Sequence, residues 1–182
     1  MESLFLGKQF NSFRVKQAAP SDAVAVTELL KGVATRLQEN GLNQWEFLLD
    51  GGEDAEIINS IKRGVTYIVT DGERLVATFN LTNKQNDWDA QLWGAREDNA
   101  YYIHRLAVHN HYTGRGIGKD LLLWLDENLQ GEATLRLDCI ADNPVLNDFY
   151  KHVGFKYVGQ GHAEGDSFSL YEKETPSRTL NS

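Results

Sequence analysis

The chain has 182 residues, 41% of them hydrophobic, three prolines and a formal net charge of -8. That length suits one domain with its own core, and no apolar run approaches the roughly 20 residues of a membrane span. MESLFLGKQF lacks the basic-then-apolar pattern of a signal peptide, and the lone Cys139 excludes an internal disulfide. A cytoplasmic protein is therefore expected, with no nucleic-acid or membrane partner and a leaning toward cationic small molecules.

In chain order, Phe13–Ala18 alternates like a first strand. Pro20-Ser21-Asp22 reads as a helix start, after which Val26, Leu29, Leu30, Val33 and Leu37 share one face up to Asn40-Gly41. The piece LNQWEFLLDGGED is irregular, with Trp45 and Phe47 expected as core or as pocket lining. A short helix over Asp54–Arg63 carries Ile57, Ile58 and Ile61. Asp71-Gly72 joins Val65–Thr70 to Arg74–Leu81 as a hairpin, and Thr82–Asn99, polar around Trp88 and Trp93, reads as a long connection with room for strand extensions. Tyr101–Val108 and Thr134–Ile140 are further strands. Asn143-Pro144 opens a helix that buries Val145, Leu146, Phe149 and Val153 and ends at Gly154. Phe155–Val158 and Phe168–Glu172 are the last strands, around a polar loop Gly159–Ser167. The tail from Thr175 is expected to be disordered, leaving a single domain with its core over about residues 13–173. There is no internal repeat. This order predicts an α/β fold, with a mixed, mostly antiparallel central sheet and helices on both faces.

The stretch YYIHRLAVHNHYTGRGIGKDLLLWLDENL carries the chemistry. The strand Tyr101–Val108 runs through a turn at Asn110–Thr113 into Gly114, Gly116 and Gly118. From there Leu121, Leu122, Leu125 and Leu129 fall at helical spacing. Glycines let a ligand approach the backbone, and the first amides of a helix favour an anion, usually a phosphate. Tyr101 to Lys119 contains no Asp or Glu but carries Arg105, Arg115, Lys119 and three histidines, which suits a specific anionic ligand. A nucleotide P-loop would need Gly at Thr113 and Ser or Thr at Asp120. The dinucleotide pattern that begins Gly114-x-Gly116 would need Gly at Lys119. Both fail. An ordinary glycine-rich turn from strand to helix is the bland alternative.

What fits is Gln/Arg-x-x-Gly-x-Gly/Ala, the pyrophosphate-binding signature of the GNAT acetyltransferase superfamily. The match covers Arg115-Gly116-Ile117-Gly118 behind the strand Arg105-Leu106-Ala107-Val108, with Thr113 in place of the leading Gln or Arg. A second block resembles the family from Leu137-Asp138-Cys139 through Asn143-Pro144 to Phe149-Tyr150 and Gly154-Phe155, and the element order resembles it from Phe13 to Lys173. The resemblance implies acetyl-CoA as donor, no metal, a small-molecule or peptide amine as acceptor, direct attack on the thioester, and a monomer or homodimer.

It also implies roles. Thr113, Gly114, Arg115, Gly116, Ile117, Gly118 and Lys119 would hold the pyrophosphate, mainly through backbone amides, although Arg115 and Lys119 equally suit a solvated surface. Leu106, Ala107 and Val108 would offer backbone groups to the pantetheine arm and, near Val108, an N–H to the thioester oxygen. Tyr150 would protonate the leaving thiolate, or else simply pack its ring. Asn143 would contact the CoA arm or only cap its helix. Many family members carry Glu at the position of Tyr102, so the usual base is missing. His104, two residues on, is the candidate base or water-positioner against a structural histidine, with Tyr101 and Tyr102 shaping the acceptor pocket. Cys139 as nucleophile lacks a nearby His, and His109-x-His111 as a metal pair lacks companions. The rival to an enzyme is a non-catalytic acyl-CoA-binding module of the same fold.

Overall fold

Helix α1 (Ala23–Glu39) starts after a 3-10 turn over Pro20–Asp22, where Asp22 accepts the Ala19 N–H at 2.8 Å. The computed structural model describes residues 4–41 and 45–175, with Glu46 and Phe47 described by backbone alone. The remaining elements are β1 (Gln9–Phe10), β2 (Phe13–Gln17), α2 (Glu46–Leu49), α3 (Asp54–Lys62), β3 (Thr66–Asp71), β4 (Arg74–Thr82) and α4 (Asp87–Trp93). They continue with β5 (Ala100–Val108), α5 (Ile117–Asn128), β6 (Thr134–Ile140), α6 (Pro144–Val153), β7 (Lys156–Ala163) and β8 (Asp166–Glu174). The strands follow the hydrogen-bonded order β1-β2-β3-β4-β5-β6-β8-β7, an eight-stranded sheet in which β5 pairs parallel with β6. The expected mixed, mostly antiparallel α/β sheet is therefore present. Two compact units share β5: Lys8–Leu81 with His104–Leu121, and Met1–Gly7 with Thr82–Ile103 and Leu122–Ser182.

In the first unit, α1 buries Val26, Leu29, Leu30 and Ala34 at helical spacing, and α3 buries Ile57 and Ile61 while Ile58 stays exposed. These side chains meet Leu48, Ile68 and Ala107 in one apolar cluster, with Trp45 packed at its edge. Each fully buried Leu or Ile contributes about 1.5–3 kcal/mol, so this face anchors both helices. Lys31 of α1 pairs with Asp54 of α3 at 3.1 Å. The predicted hairpin forms between β3 and β4. β1 was not anticipated, because two residues are too few for an alternating pattern to register. Part of the irregular piece, residues 42–44, lies outside the described residues, as does the Phe47 side chain.

The second unit corrects two expectations. Thr82–Asn99 is not a plain connection, because α4 forms within it. Asn86 accepts the Asp89 N–H at 2.8 Å, and Asp89 accepts the Asn86 N–H at 3.3 Å, a reciprocal capping box. Leu92 and Trp93 then pack with Ala100, Tyr102, Ala163 and Leu170, and Trp88 meets Phe168 edge-on at 4.9 Å. The supposed loop Gly159–Ser167 is instead mostly strand. β7 and β8 pair antiparallel and turn at Glu164 and Gly165, both at positive φ (50° and 82°). The residues read as loop because the β7 segment carries glycines where helix α4 crosses it.

Gly161 marks that crossing. A Cβ there would stand 2.8 Å from the Leu92 carbonyl oxygen and 2.9 Å from its Cδ2. Gly161→Ala is expected to cost about 1–3 kcal/mol, read as a lowered melting temperature. An unchanged melting temperature would mean that α4 does not press on β7 this closely.

Arg136 of β6 organises the polar interior of the same unit. Its guanidinium takes Asp98 bidentately at 3.0 and 2.7 Å, Glu172 at 3.3 Å and the Tyr102 hydroxyl at 2.9 Å. It also lies 5.2 Å from the Trp93 ring centroid and 5.6 Å from that of Tyr102. Burial alone would lower the Arg136 pKa, but the bonds to Asp98 and Tyr102 outweigh it and raise it. The same Arg136 bond holds the Asp98 carboxyl below the usual carboxylate range. At the far end, Thr175 is buried and exchanges two 2.9 Å hydrogen bonds with Ala133, so it does not begin a disordered tail. Residues 176–182 lie outside the described residues. Among the described residues no helix is long and apolar enough to cross a membrane.

Candidate active site

The glycine segment has the geometry its composition predicts. Gly114 and Gly116 sit at φ 80° and 72°, in the left-handed region, and a Cβ at either would meet nothing within 4 Å. Helix α5 follows at once. Asp120 donates to the Gly116 carbonyl at 3.0 Å, and no partner among the described residues takes the amides of Gly114 to Lys119. Those amides stand at the positive end of a 12-residue helix, the arrangement that suits a phosphate. Ile117 is buried and fixes the helix start, while Gly114, Arg115, Gly116 and Lys119 are exposed.

Tyr112, which carried no role in the sequence, is what holds the loop. Its ring is buried, meets Phe13 edge-on at 6.0 Å, and its hydroxyl donates to Asp71 at 3.4 Å. The Arg115 guanidinium lies 5.3 Å from its ring centroid, so Arg115 is parked beside the loop rather than loose in solvent. An aromatic residue next to a glycine run is the one signal that pointed there. The His109 ring accepts the His111 N–H through Nδ1 at 3.1 Å, a local turn contact, and both rings flank Tyr112. Thr113 donates to the Asn110 carbonyl at 2.9 Å and accepts from Arg36.

The strand leading into the loop is bent. Arg105 sits at φ 51°, rare for a side-chain-bearing residue, and its guanidinium pairs with Glu53 at 2.7 Å. It is therefore neutralised, and Arg115 and Lys119 are the cations left on the basic window beside the loop. Leu106 and Val108 are half-buried, and Ala107 joins the apolar cluster of the first unit. His109 donates to the Val76 carbonyl at 2.8 Å, which ties the end of the strand to β4. In the second unit the ladder between β5 and β6 takes in only Ala100–Tyr102 against Thr134–Arg136, although β6 runs on to Ile140 along β8. His104 is half-buried on β5, just before the Arg105 bend. Tyr102 is not a pocket residue: it is buried, and its hydroxyl is taken by Gln85 at 2.8 Å and by Arg136.

Asn143 and Tyr150 stand on α6 in the second unit. Asn143 caps the helix, its Oδ1 accepting the Leu146 N–H at 3.1 Å, while its Nδ2 has no partner among the described residues. Asn147 locks α6 in place, donating to the Asn143 carbonyl at 2.8 Å and accepting from the Tyr171 hydroxyl at 2.6 Å. Tyr150 lies between Phe149, Phe155 and Tyr171, at centroid distances of 5.3, 6.3 and 5.8 Å. Burial, helped by Cys139, Asp138 and Tyr171, holds its hydroxyl above the ordinary tyrosine range. No hydrogen bond occupies that hydroxyl among the described residues. It is a protonated, uncommitted donor at neutral pH. Burial and the Asp138 carboxylate push the Cys139 thiol up to about 12, so it is no nucleophile near pH 7. Thr113 to Lys119, Leu106 to Val108 and His104 thus fall in one unit, and Asn143 and Tyr150 in the other.

The sequence model of the acetyltransferase (GNAT) family matches residues 27–155, a span that takes in the glycine loop, Asn143 and Tyr150. The chain belongs to the GNAT family. It is an N-acetyltransferase, as the motifs implied. A Bacillus subtilis (strain 168) protein, the uncharacterized N-acetyltransferase YesJ, is 34% identical over 167 residues, covering 90% of this chain and 91% of its own. A GNAT acetyltransferase of Listeria monocytogenes, solved by crystallography, shares 30% identity with a TM-score of 0.72 over 89% of this chain and 94% of its own. The PaiA N-acetyltransferase of Thermoplasma acidophilum, solved in complex with coenzyme A, shares the fold at 17% identity, with a TM-score of 0.61 over 87% and 97% of the two chains. A protein of the same fold has thus been solved with coenzyme A.

Proposed function

We propose that this GNAT enzyme moves an acetyl group from acetyl-CoA to a primary amine, on a small molecule or a peptide, by direct attack within a single domain. The observation that carries the reading is the open loop Gly114–Lys119, whose unpartnered amides and side-chain-free approach fit a pyrophosphate. A coenzyme A complex in a protein of the same fold supports that fit.

The remaining groups take complementary roles. An N–H near Val108 stabilises the charge that develops on the thioester oxygen. Asn143 offers its Nδ2 to the CoA arm. The amine nitrogen bonds to the carbonyl carbon, the carbon–sulfur bond breaks, and Tyr150 gives its proton to the departing thiolate. His104, directly or through a water it positions, takes the proton lost by the amine, and Tyr150 is reprotonated from solvent. An alkyl ammonium has a pKa near ~10, so an acceptor for that proton matters most near neutrality.

Thiol release from acetyl-CoA is the test, measured over polyamines, aminoglycosides, amino acids and peptides. Turnover on an amine supports the enzyme, whereas binding of acetyl-CoA with no turnover on any would favour the non-catalytic module. On the best acceptor, His104→Ala should depress turnover at pH 7 and recover as pH rises and free amine accumulates. An equal drop at every pH would assign His104 to packing.

A further inference from the structure

We propose that Arg36, on the last turn of α1, is the cationic arm of the pyrophosphate site, standing in for the one the loop lacks at Thr113. The inference rests on the assignment of Gly114–Lys119 as that site. All of its parts lie in the first unit. Arg36 is exposed and donates through Nη1 to the Thr113 hydroxyl, the position where the GNAT motif has its own Gln or Arg. The contact joins residues 77 positions apart.

Three features make this more than a surface contact. The Thr113 hydroxyl is itself held by its bond to the Asn110 carbonyl, so it presents a fixed lone pair to Arg36. A second bond, Asn110 Nδ2 to the Gly32 carbonyl at 2.9 Å, ties the same turn to α1 one helical turn earlier. Helix and loop are thus latched at two points, which limits where the guanidinium can go. Finally, no carboxylate pairs with Arg36 among the described residues, so four of its five N–H donors stay available beside amides that themselves want an anion. A planar fork suits phosphate oxygens.

Calorimetry with acetyl-CoA on the wild type, Arg36→Met and Gly116→Val tests this, with melting temperatures taken on each preparation. Arg36→Met is expected to bind about tenfold more weakly, the worth of one charge-assisted hydrogen bond, without a change in melting temperature. Adding Thr113→Arg to Arg36→Met restores an arm within the loop itself and should recover most of the affinity. Unchanged affinity in Arg36→Met, with weak binding in Gly116→Val, would overturn the role of Arg36 and leave the loop assignment standing. Unchanged affinity in both would remove the loop assignment as well. A double variant as weak as Arg36→Met would make Arg36 a brace between helix and loop, and overturn its role as an arm.

Discussion

Tyr150→Phe is expected to lower kcat by about 10²-fold, with acetyl-CoA affinity and melting temperature nearly unchanged. The substitution keeps the ring that packs on Phe149, Phe155 and Tyr171 and deletes only the hydroxyl. That hydroxyl has no partner among the described residues, so its loss leaves no buried group stranded. Its raised pKa keeps it protonated past the ordinary tyrosine value near ~10, so the alkaline limb of the wild-type rate profile should not begin below that value. The linked stability has the same sign. A proton held more tightly in the folded state stabilises fully below pH ~10 and is lost as pH rises through the raised value. Tyr150→Phe should lack that alkaline loss. Measuring kcat, acetyl-CoA affinity and melting temperature on one preparation decides the matter: near-normal kcat would end the catalytic assignment.

The second large effect is structural. Arg136→Met is expected to destabilise the protein by about 3 kcal/mol, the lower part of the range for breaking a buried ion pair. The low end applies because Arg136 is only 5% exposed, whereas Asp98 and Glu172 keep 44% and 32% of their side chains in water and can rehydrate. The Tyr102 hydroxyl keeps Gln85 as a partner. For a chain of this length the loss corresponds to about 6–12 °C in melting temperature. Because the Asp98 pKa is lowered in the folded state, its share of the stability is present above the ordinary value of ~3.9 and lost as pH falls through the lowered one. The gap between wild type and variant should therefore narrow in acid. Equal melting temperatures at pH 7 would show that the network adds nothing beyond packing.

Much of this was legible in one dimension. The strand Thr134–Ile140 has the bounds its β-rich run predicts, and α6 opens at the Asn143 cap and closes at Gly154 as Pro and Gly dictate. Capping, turn chemistry and helical period each act within a few residues, so a short window contains the whole cause. The glycine spacing after Val108 belongs to the same class, and with the second block around Tyr150 it was enough to reach the GNAT family. The capping box Asn86–Asp89 was equally local, but it was passed over because the segment is polar and only seven residues become helix.

The ends of α6, the glycine spacing after Val108 and the family were legible from the residues alone, because those features are written in neighbouring positions. Partners distant in the chain were set by the fold. Tyr102 turned out to belong to Arg136, 34 residues away, rather than to an acceptor pocket, and Arg105 to Glu53, 52 residues away. Gly161 became strand by pairing with Phe168 of β8, its bare backbone leaving room for Leu92, and Thr113 gained Arg36 from a helix 77 residues distant. A buried charge or a bare glycine must answer to whatever the fold brings beside it, through desolvation and contact. Those costs have no period and no fixed spacing along the chain, so they become readable only once the sheet has set its register.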